Sequence, residues 1–181
     1  EEIGIALAWL FQALPQRPMH AAVGHRLSGR VKNRILNKYI LQRGIDLLLV
    51  HSQAQRDFAE DKLAFASEKI ALITPAVDDY FFRPTHNESV ANRICAAGWR
   101  ARDYQILADA ISVAPDYAAD VVQHGAPTFM TQIPGNLNSV SASDYNALRS
   151  IYSASSFVAV PLLDTDGSEG ADSILQAMAM G

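Results

Sequence analysis

The run PLLDTDGSEG at 161–170 brings together more residues able to do chemistry than any other stretch of the sequence. It links the end of an apolar run, expected to be a buried strand, to the start of a helical pattern. In open parallel sheets ligands bind at that edge, where free helix N–H groups and the helix dipole favour anions such as phosphate. Gly167 and Gly170 would let the backbone approach a ligand closely. Asp164, Asp166, Glu169 and Asp172 oppose a pyrophosphate unless cations offset them, and Arg100 and Arg102 are the cations available in the same half of the chain. A carboxylate such as Glu169 can instead accept both hydroxyls of a ribose. An equally simple reading is that these acids only cap and solubilise a helix start. A calcium loop fails on detail, because the sixth position from Asp164 is Glu169 rather than glycine and the twelfth is Leu175 rather than a bidentate glutamate.

His25 closes the run MHAAVGH at 19–25, again at a strand end. A histidine there serves as an acid or base, bonds a substrate hydroxyl, or anchors a loop. His51 stands directly before a capping Ser52 and reads as structural. His20 and His25 are an odd number of residues apart and point to opposite faces of a strand, which argues against a shared metal. The single cysteine, Cys95, lies in the apolar run ICAA at 94–97 and is expected to be a buried small hydrophobe, in keeping with a reducing compartment. A Walker loop, a Gly-x-Gly-x-x-Gly turn, a Gly-x-Ser-x-Gly elbow and paired cysteines are all missing from the sequence. Kinase, dinucleotide dehydrogenase, serine hydrolase and zinc-protein readings fall with them.

The elements that must position these residues follow from periodicity. Short apolar runs alternate with segments of period 3.6, which implies parallel strands joined by crossover helices. Strands are expected at 19–24, 46–50 and 69–74, then at 93–97, 119–123 and 157–162, with a weaker one at 138–141. Val31, Ile35, Tyr39 and Ile40 repeat at helical spacing, and Ser52 with Gln55 forms a capping box opening a helix toward Phe65. Tyr104, Leu107, Ala108 and Ile111 form a stripe; Tyr145, Leu148, Ile151 and Tyr152 form another behind a Ser143 N-cap; Ala171, Ile174, Leu175 and Met178 form the last. The polar, Pro84-containing stretch 78–90 interrupts both periods and reads as a hinge, or else as one long surface loop within a single sheet.

With 181 residues, 49% hydrophobic and 19% charged at a net charge of −4, the chain has the composition of a folded protein with a real core, neither disordered nor fibrous nor disulfide-scaffolded. Its 15 basic and 19 acidic residues, read as spread along the chain, do not make a nucleic-acid binder. The longest uncharged apolar stretch, 3–16, is broken by Gln12 and Pro15 and is shorter than the ~20 residues of a spanning helix. The chain begins at Glu1 without an initiator methionine and stops just after the apolar run 174–180, so a fragment is expected.

Taken in order, the pieces resemble the glycosyltransferases of family 4, which have a GT-B fold of two Rossmann-like domains. The resemblance rests on AVGH at 22–25, DLLLVHSQ at 46–53, KIALITPAVD at 69–78 followed by FFRP at 81–84, and AGWRARDY at 97–104. It continues with 148–152 before VAVPL at 158–162, then Gly170 with ILQAMAMG at 174–181. The resemblance implies an α/β chain holding two incomplete parallel-sheet domains: residues 1–79 from the acceptor side, a hinge at 80–92, and 93–181 from the nucleotide-sugar side. It implies transfer of a sugar from a nucleotide-sugar to an acceptor hydroxyl, the acceptor being a carbohydrate, lipid-linked or small molecule. Configuration would be retained, without an essential metal or other cofactor, and the location would be cytoplasmic or at the inner membrane face with peripheral membrane association. Matched by position, Arg102 and Arg100 bind the donor phosphates, His25 lies near the transferred sugar, and Ser168, Glu169 and Gly170 belong to the donor loop. Catalytic roles then fall to His25 and Glu169. The family's two glutamates fall on Ser168 and Gln176; Gln176 still hydrogen-bonds a ribose but carries no charge. That departure motivates an alternative as a non-catalytic nucleotide-sugar binder, and the shared fold motivates another as a nucleotide-sugar epimerase. A piece lacking core strands is expected to be marginally stable and inactive by itself.

Overall fold

Leucine and β-branched runs too short to be helices become strands, and the amphipathic segments between them become crossovers, in two compact units: Glu1–Pro75, and Ala76–Thr165 with Glu169–Gly181. The structure is a computed structural model and describes residues 2–25, 27–85, 89–98, 101–122, 133–164 and 169–181. Each unit carries its own parallel sheet and its own core.

The first unit runs α1 (Glu2–Gln12), β1 (Ala21–Gly24), α2 (Arg30–Lys38), β2 (Leu47–Val50), α3 (Gln53–Leu63) and β3 (Ile70–Leu72). Its strands lie in the order β1-β2-β3, all parallel. Leu36, Leu41, Ile45, Leu48, Val50, Leu63 and Ile70 fill the core, and full burial of a leucine such as Leu63 contributes about 1.5–3 kcal/mol. Helix α1 lies against the 3-10 turn Leu41–Gly44 so closely that a Cβ on Gly44 would collide with the Ala8 carbonyl oxygen. The start of β2 is tied to the chain before β1: Arg17 donates to both carboxylate oxygens of Asp46 at 2.5 and 2.7 Å, and the His20 N–H donates to the same carboxylate at 2.8 Å. The Arg17 hydrogen bonds, then that of His20, hold the Asp46 carboxyl well below the usual carboxylate range.

The second unit runs β4 (Arg93–Ala97), α4 (Tyr104–Ser112), β5 (Ala118–Val122), β6 (Leu137–Val140), α5 (Tyr145–Ser153), β7 (Phe157–Val158) and α6 (Ala171–Met180). Its strand order is β6-β5-β4-β7, all parallel. Alternate residues sort onto two faces. Ile94, Ala96, Ala119 and Val121 pack with Tyr104, Leu107, Ala108 and Ile111 of α4, while Cys95, Ala97 and Val122 pack with Phe82, Tyr152 and Met180. Burial pushes the Cys95 thiol up to about 11. Asp120, only 3% exposed, accepts from Arg93 Nε at 2.6 Å and from Asn138 Nδ2 at 3.2 Å, so three adjacent strands share one buried carboxylate. A hollow of about 170 Å³ beside this pair, lined also by Val140, Ser150 and Ile151, lies at the N-terminal end of β4.

Several expectations are corrected. The strand expected at 157–162 ends at Val158, because Pro161 has no N–H to donate and the chain turns there to pair with 101–103 in the opposite sense. The other strands keep their places with ends shifted by a residue or two, the end at Gln123 lying outside the described residues. Asp144, not Ser143, caps α5 through the Ala147 N–H, and Tyr145 is exposed. Helix α3 ends at Leu63, where Ala64 takes a left-handed conformation, short of Phe65. On α6 the buried residues are Ser173 and Met180, with Gln176 and Ala177 half-buried between them, whereas Ile174 and Met178 of the expected stripe are exposed. Among the side chains described on α2 only Leu36 is buried, and Val31 and Ile35, with Tyr39 and Ile40 just after the helix, face solvent.

Candidate functional site

The chemistry gathers at the C-terminal strand edges, one in each unit. In the second unit the order β6-β5-β4-β7 reverses direction between β4 and β7, and doubly wound sheets bind ligands outside the strands' carboxyl ends at such a reversal. The chain leaves β4 through Gly98 and returns over the edge as Arg102, which forms an antiparallel bridge to Leu162 beyond β7. Arg102 Nε donates to the Ala97 carbonyl at 3.2 Å and Nη2 donates to Ser173 Oγ at 3.0 Å. Its guanidinium lies where a side chain at Gly98 would go: a Cβ there would sit 2.7 Å from Nη2, and Gly98 has a φ of +123° that other residues rarely adopt. The Gly98 carbonyl accepts from Tyr104 Oη at 2.5 Å, and burial pushes that phenol up to about 12.

Ser173 lies in the first turn of α6, so Arg102 stands beside the free N–H groups of a helix start. Gly170 is the N-cap with φ +94°, and a Cβ on it would strike the Leu162 side chain at 2.7 Å. Glu169 is half-buried just before it, and Gln176 follows one turn after Ser173 on the same helix face. The structure therefore brings Arg102 together with α6, which carries Gly170 and Gln176. Arg100 and Ser168 lie outside the described residues, as do Asp166 and Gly167. Ser173 escaped the sequence reading, and Gly98 and Tyr104 entered it only within the run AGWRARDY and the α4 stripe, with no role in positioning Arg102.

In the first unit, exposed His25 follows β1 and His51 follows β2, with ring centroids 5.6 Å apart. Gln55, almost fully buried, holds both strand ends. Its Nε2 donates to the His25 carbonyl at 3.0 Å and its Oε1 accepts from the His51 N–H at 2.8 Å, while its own N–H donates to Ser52 Oγ at 3.2 Å. The expected capping box is thus also the clamp that places two imidazoles together. His51 Nδ1 is buried and has no hydrogen-bond partner among the described residues. Among the described residues no group of three or more His, Cys, Asp and Glu side chains is arranged to hold a metal ion.

Two Rossmann-like parallel sheets in one chain, one with a switch point crowned by an arginine and a helix start, define an α/β architecture of GT-B type. No protein-family model matches the sequence, and no curated protein matches it significantly. Among solved structures the chain is similar to a glycosyltransferase from Rickettsia africae ESF-5, with a TM-score of 0.59 at 14% identity over 88% of this chain. It covers 49% of that structure's chain, so it spans about half of its length. A likeness at this identity establishes the fold. Among the described residues no helix is long and apolar enough to cross a membrane.

Proposed function

We propose that the chain is part of a retaining glycosyltransferase that holds a nucleotide-sugar and moves its sugar to an acceptor hydroxyl. The observation that carries this reading is the Arg102 guanidinium, fixed by Ala97 and Ser173 at the switch point beside the first turn of α6. Negative charge grows on the departing diphosphate as the sugar–phosphate bond breaks. A preset guanidinium and helix N–H groups stabilise that charge without having to reorganise. Arg100 is the second cation, Ser168, Glu169 and Gly170 border the donor, and Gln176 bonds the ribose. His25, at the strand edge of the first unit, takes the role near the transferred sugar that the resemblance implies. The arginines supply the positive charge, so the reading calls for no resident metal. The fold likeness to a glycosyltransferase supports it, and the acceptor belongs to the proposal as well, because the chain spans about half of that relative.

A second reading, non-catalytic donor binding at the same site, is favoured by Ser168 and Gln176, which stand where the resembling family has glutamates, while epimerisation is motivated by the shared fold alone. One experiment separates the readings: the full-length protein is offered a panel of nucleotide-sugars labelled in the sugar, with diphosphate affinity measured in parallel. Transfer of label to an acceptor or to water is expected, with a loss of affinity of about tenfold or more in Arg102→Ala, the scale of one charge-assisted hydrogen bond. Binding without transfer favours the second reading, and no binding of any nucleotide-sugar overturns both.

A further inference from the structure

Under α5 the sheet of the second unit carries a pair of charges beside open space. Arg93 and Asp120 share the sheet face of Cys95, Ala97 and Val122, on which Ile151 and Tyr152 of α5 pack. Protein interiors are filled nearly without voids, yet here the hollow of about 170 Å³ separates the helix from the strands. Val140, Ile151 and Ala154 give it an aliphatic wall, and Arg93 with Asp120 gives it a charged one. Exposed Ser150 and the Arg93 side chain, 42% exposed, stand at its mouth.

The two charges keep hydrogen-bonding capacity in hand. Asp120 accepts once at each oxygen, at Oδ2 from Arg93 Nε and at Oδ1 from Asn138 Nδ2. A carboxylate oxygen has two lone pairs, so each retains one for a further donor. Arg93 uses Nε alone, and among the described residues its terminal nitrogens have no hydrogen-bond partner. Those nitrogens present two parallel N–H groups, the edge of a guanidinium that matches a carboxylate.

From this arrangement we infer that the hollow is a binding site for a small zwitterion with an aliphatic body, an α-amino acid of the size of valine or leucine. Its carboxylate takes the terminal N–H groups of Arg93, its ammonium donates to Asp120, and its branched chain lies against Val140, Ile151 and Ala154. Opposite charges side by side select a zwitterion, because a plain anion is repelled by Asp120 and a plain cation by Arg93. The size follows from the volume: a cavity of about 150 Å³ takes one benzene ring, so this one takes a branched chain of about three or four carbons with its charged end at the mouth. Arg93 opens β4 and Arg102 follows the other end of that strand, so the zwitterion shares no residue with the diphosphate site.

Isothermal titration of the full chain tests this with L-leucine and three analogues: isocaproate lacks the ammonium, isopentylamine lacks the carboxylate, and glycine lacks the aliphatic body. L-leucine is expected to bind, and each analogue to bind at least about tenfold more weakly, the scale of one charge-assisted hydrogen bond or of a few buried methylenes. Ala154→Leu fills the hollow and leaves the ion pair in place, while Arg93→Lys keeps the charge and removes the paired N–H groups; each should weaken L-leucine at least about tenfold. Ser150→Trp closes the mouth from an exposed position, and it decides the matter if either of the other variants loses the wild-type circular dichroism. No binding of L-leucine at millimolar concentration overturns the inference, as does unchanged affinity in the folded variants. Binding of isocaproate or isopentylamine as tight as that of L-leucine overturns it too, and shows an apolar hollow indifferent to charge.

Discussion

Arg102 owes its position to residues with little chemistry of their own. Gly98 leaves the space that the guanidinium fills, Ser173 and the Ala97 carbonyl take its hydrogen bonds, and Tyr104 holds the Gly98 carbonyl from beneath. In Gly98→Ala the new methyl group meets Nη2 and the backbone must tolerate φ +123°. We therefore expect about tenfold weaker binding of inorganic pyrophosphate, together with a loss of stability of about 1–2 kcal/mol. Isothermal titration and thermal melts measure the two separately, and wild-type affinity in the variant would show that Arg102 holds its place without the glycine. The arginine, the strand-end histidine and the glycine turn were all legible as sequence. Ser173 was not, because its value comes from a partner 71 positions away.

Helices α3, α4 and α5 start on side-chain caps: Ser52, Asp103 and Asp144 each accept an N–H in the first turn, the first as expected and the last in place of Ser143. Apolar periodicity located α4 and its buried face correctly, yet it placed the wrong faces of α2 and α6 in the core. A stripe of period 3.6 identifies a helix; whether a sheet lies under the stripe depends on how the crossover is laid down. Close packing between elements makes its own demands, as where α1 crosses Gly44. Gly44→Ala should cost about 1–3 kcal/mol or more by overpacking, since its Cβ meets backbone that cannot rotate away. A denaturant titration reads this as a lower midpoint at unchanged slope, and a wild-type midpoint would refute the tight α1 crossing.

At the scale of the whole molecule, the cores of the two units share none of the described residues. Leu63→Ala in the first core removes a fully buried side chain and should cost about 2–5 kcal/mol. Hydrogen exchange should then speed up in β1, β2, β3 and α3 while the amides of β4 and β5 keep their wild-type protection, because local openings follow cooperative units. Faster exchange in both sheets to the same extent would mean that the units unfold as one.

Alternating strand and helix patterns, the Ser52 cap, a buried lone cysteine and the resemblance to a glycosyltransferase with two parallel-sheet domains could all be read from the order of residues, because each depends on neighbours within a few positions. The tertiary structure alone decided that β7 is added beside β4, that Arg102 therefore stands over a switch point, that Gln55 clamps the ends of two strands, and that the apolar stripe of α2 faces outward. Each of these is a meeting between residues, or a choice of helix face, made when the chain folds back on itself, and local periodicity carries no record of it.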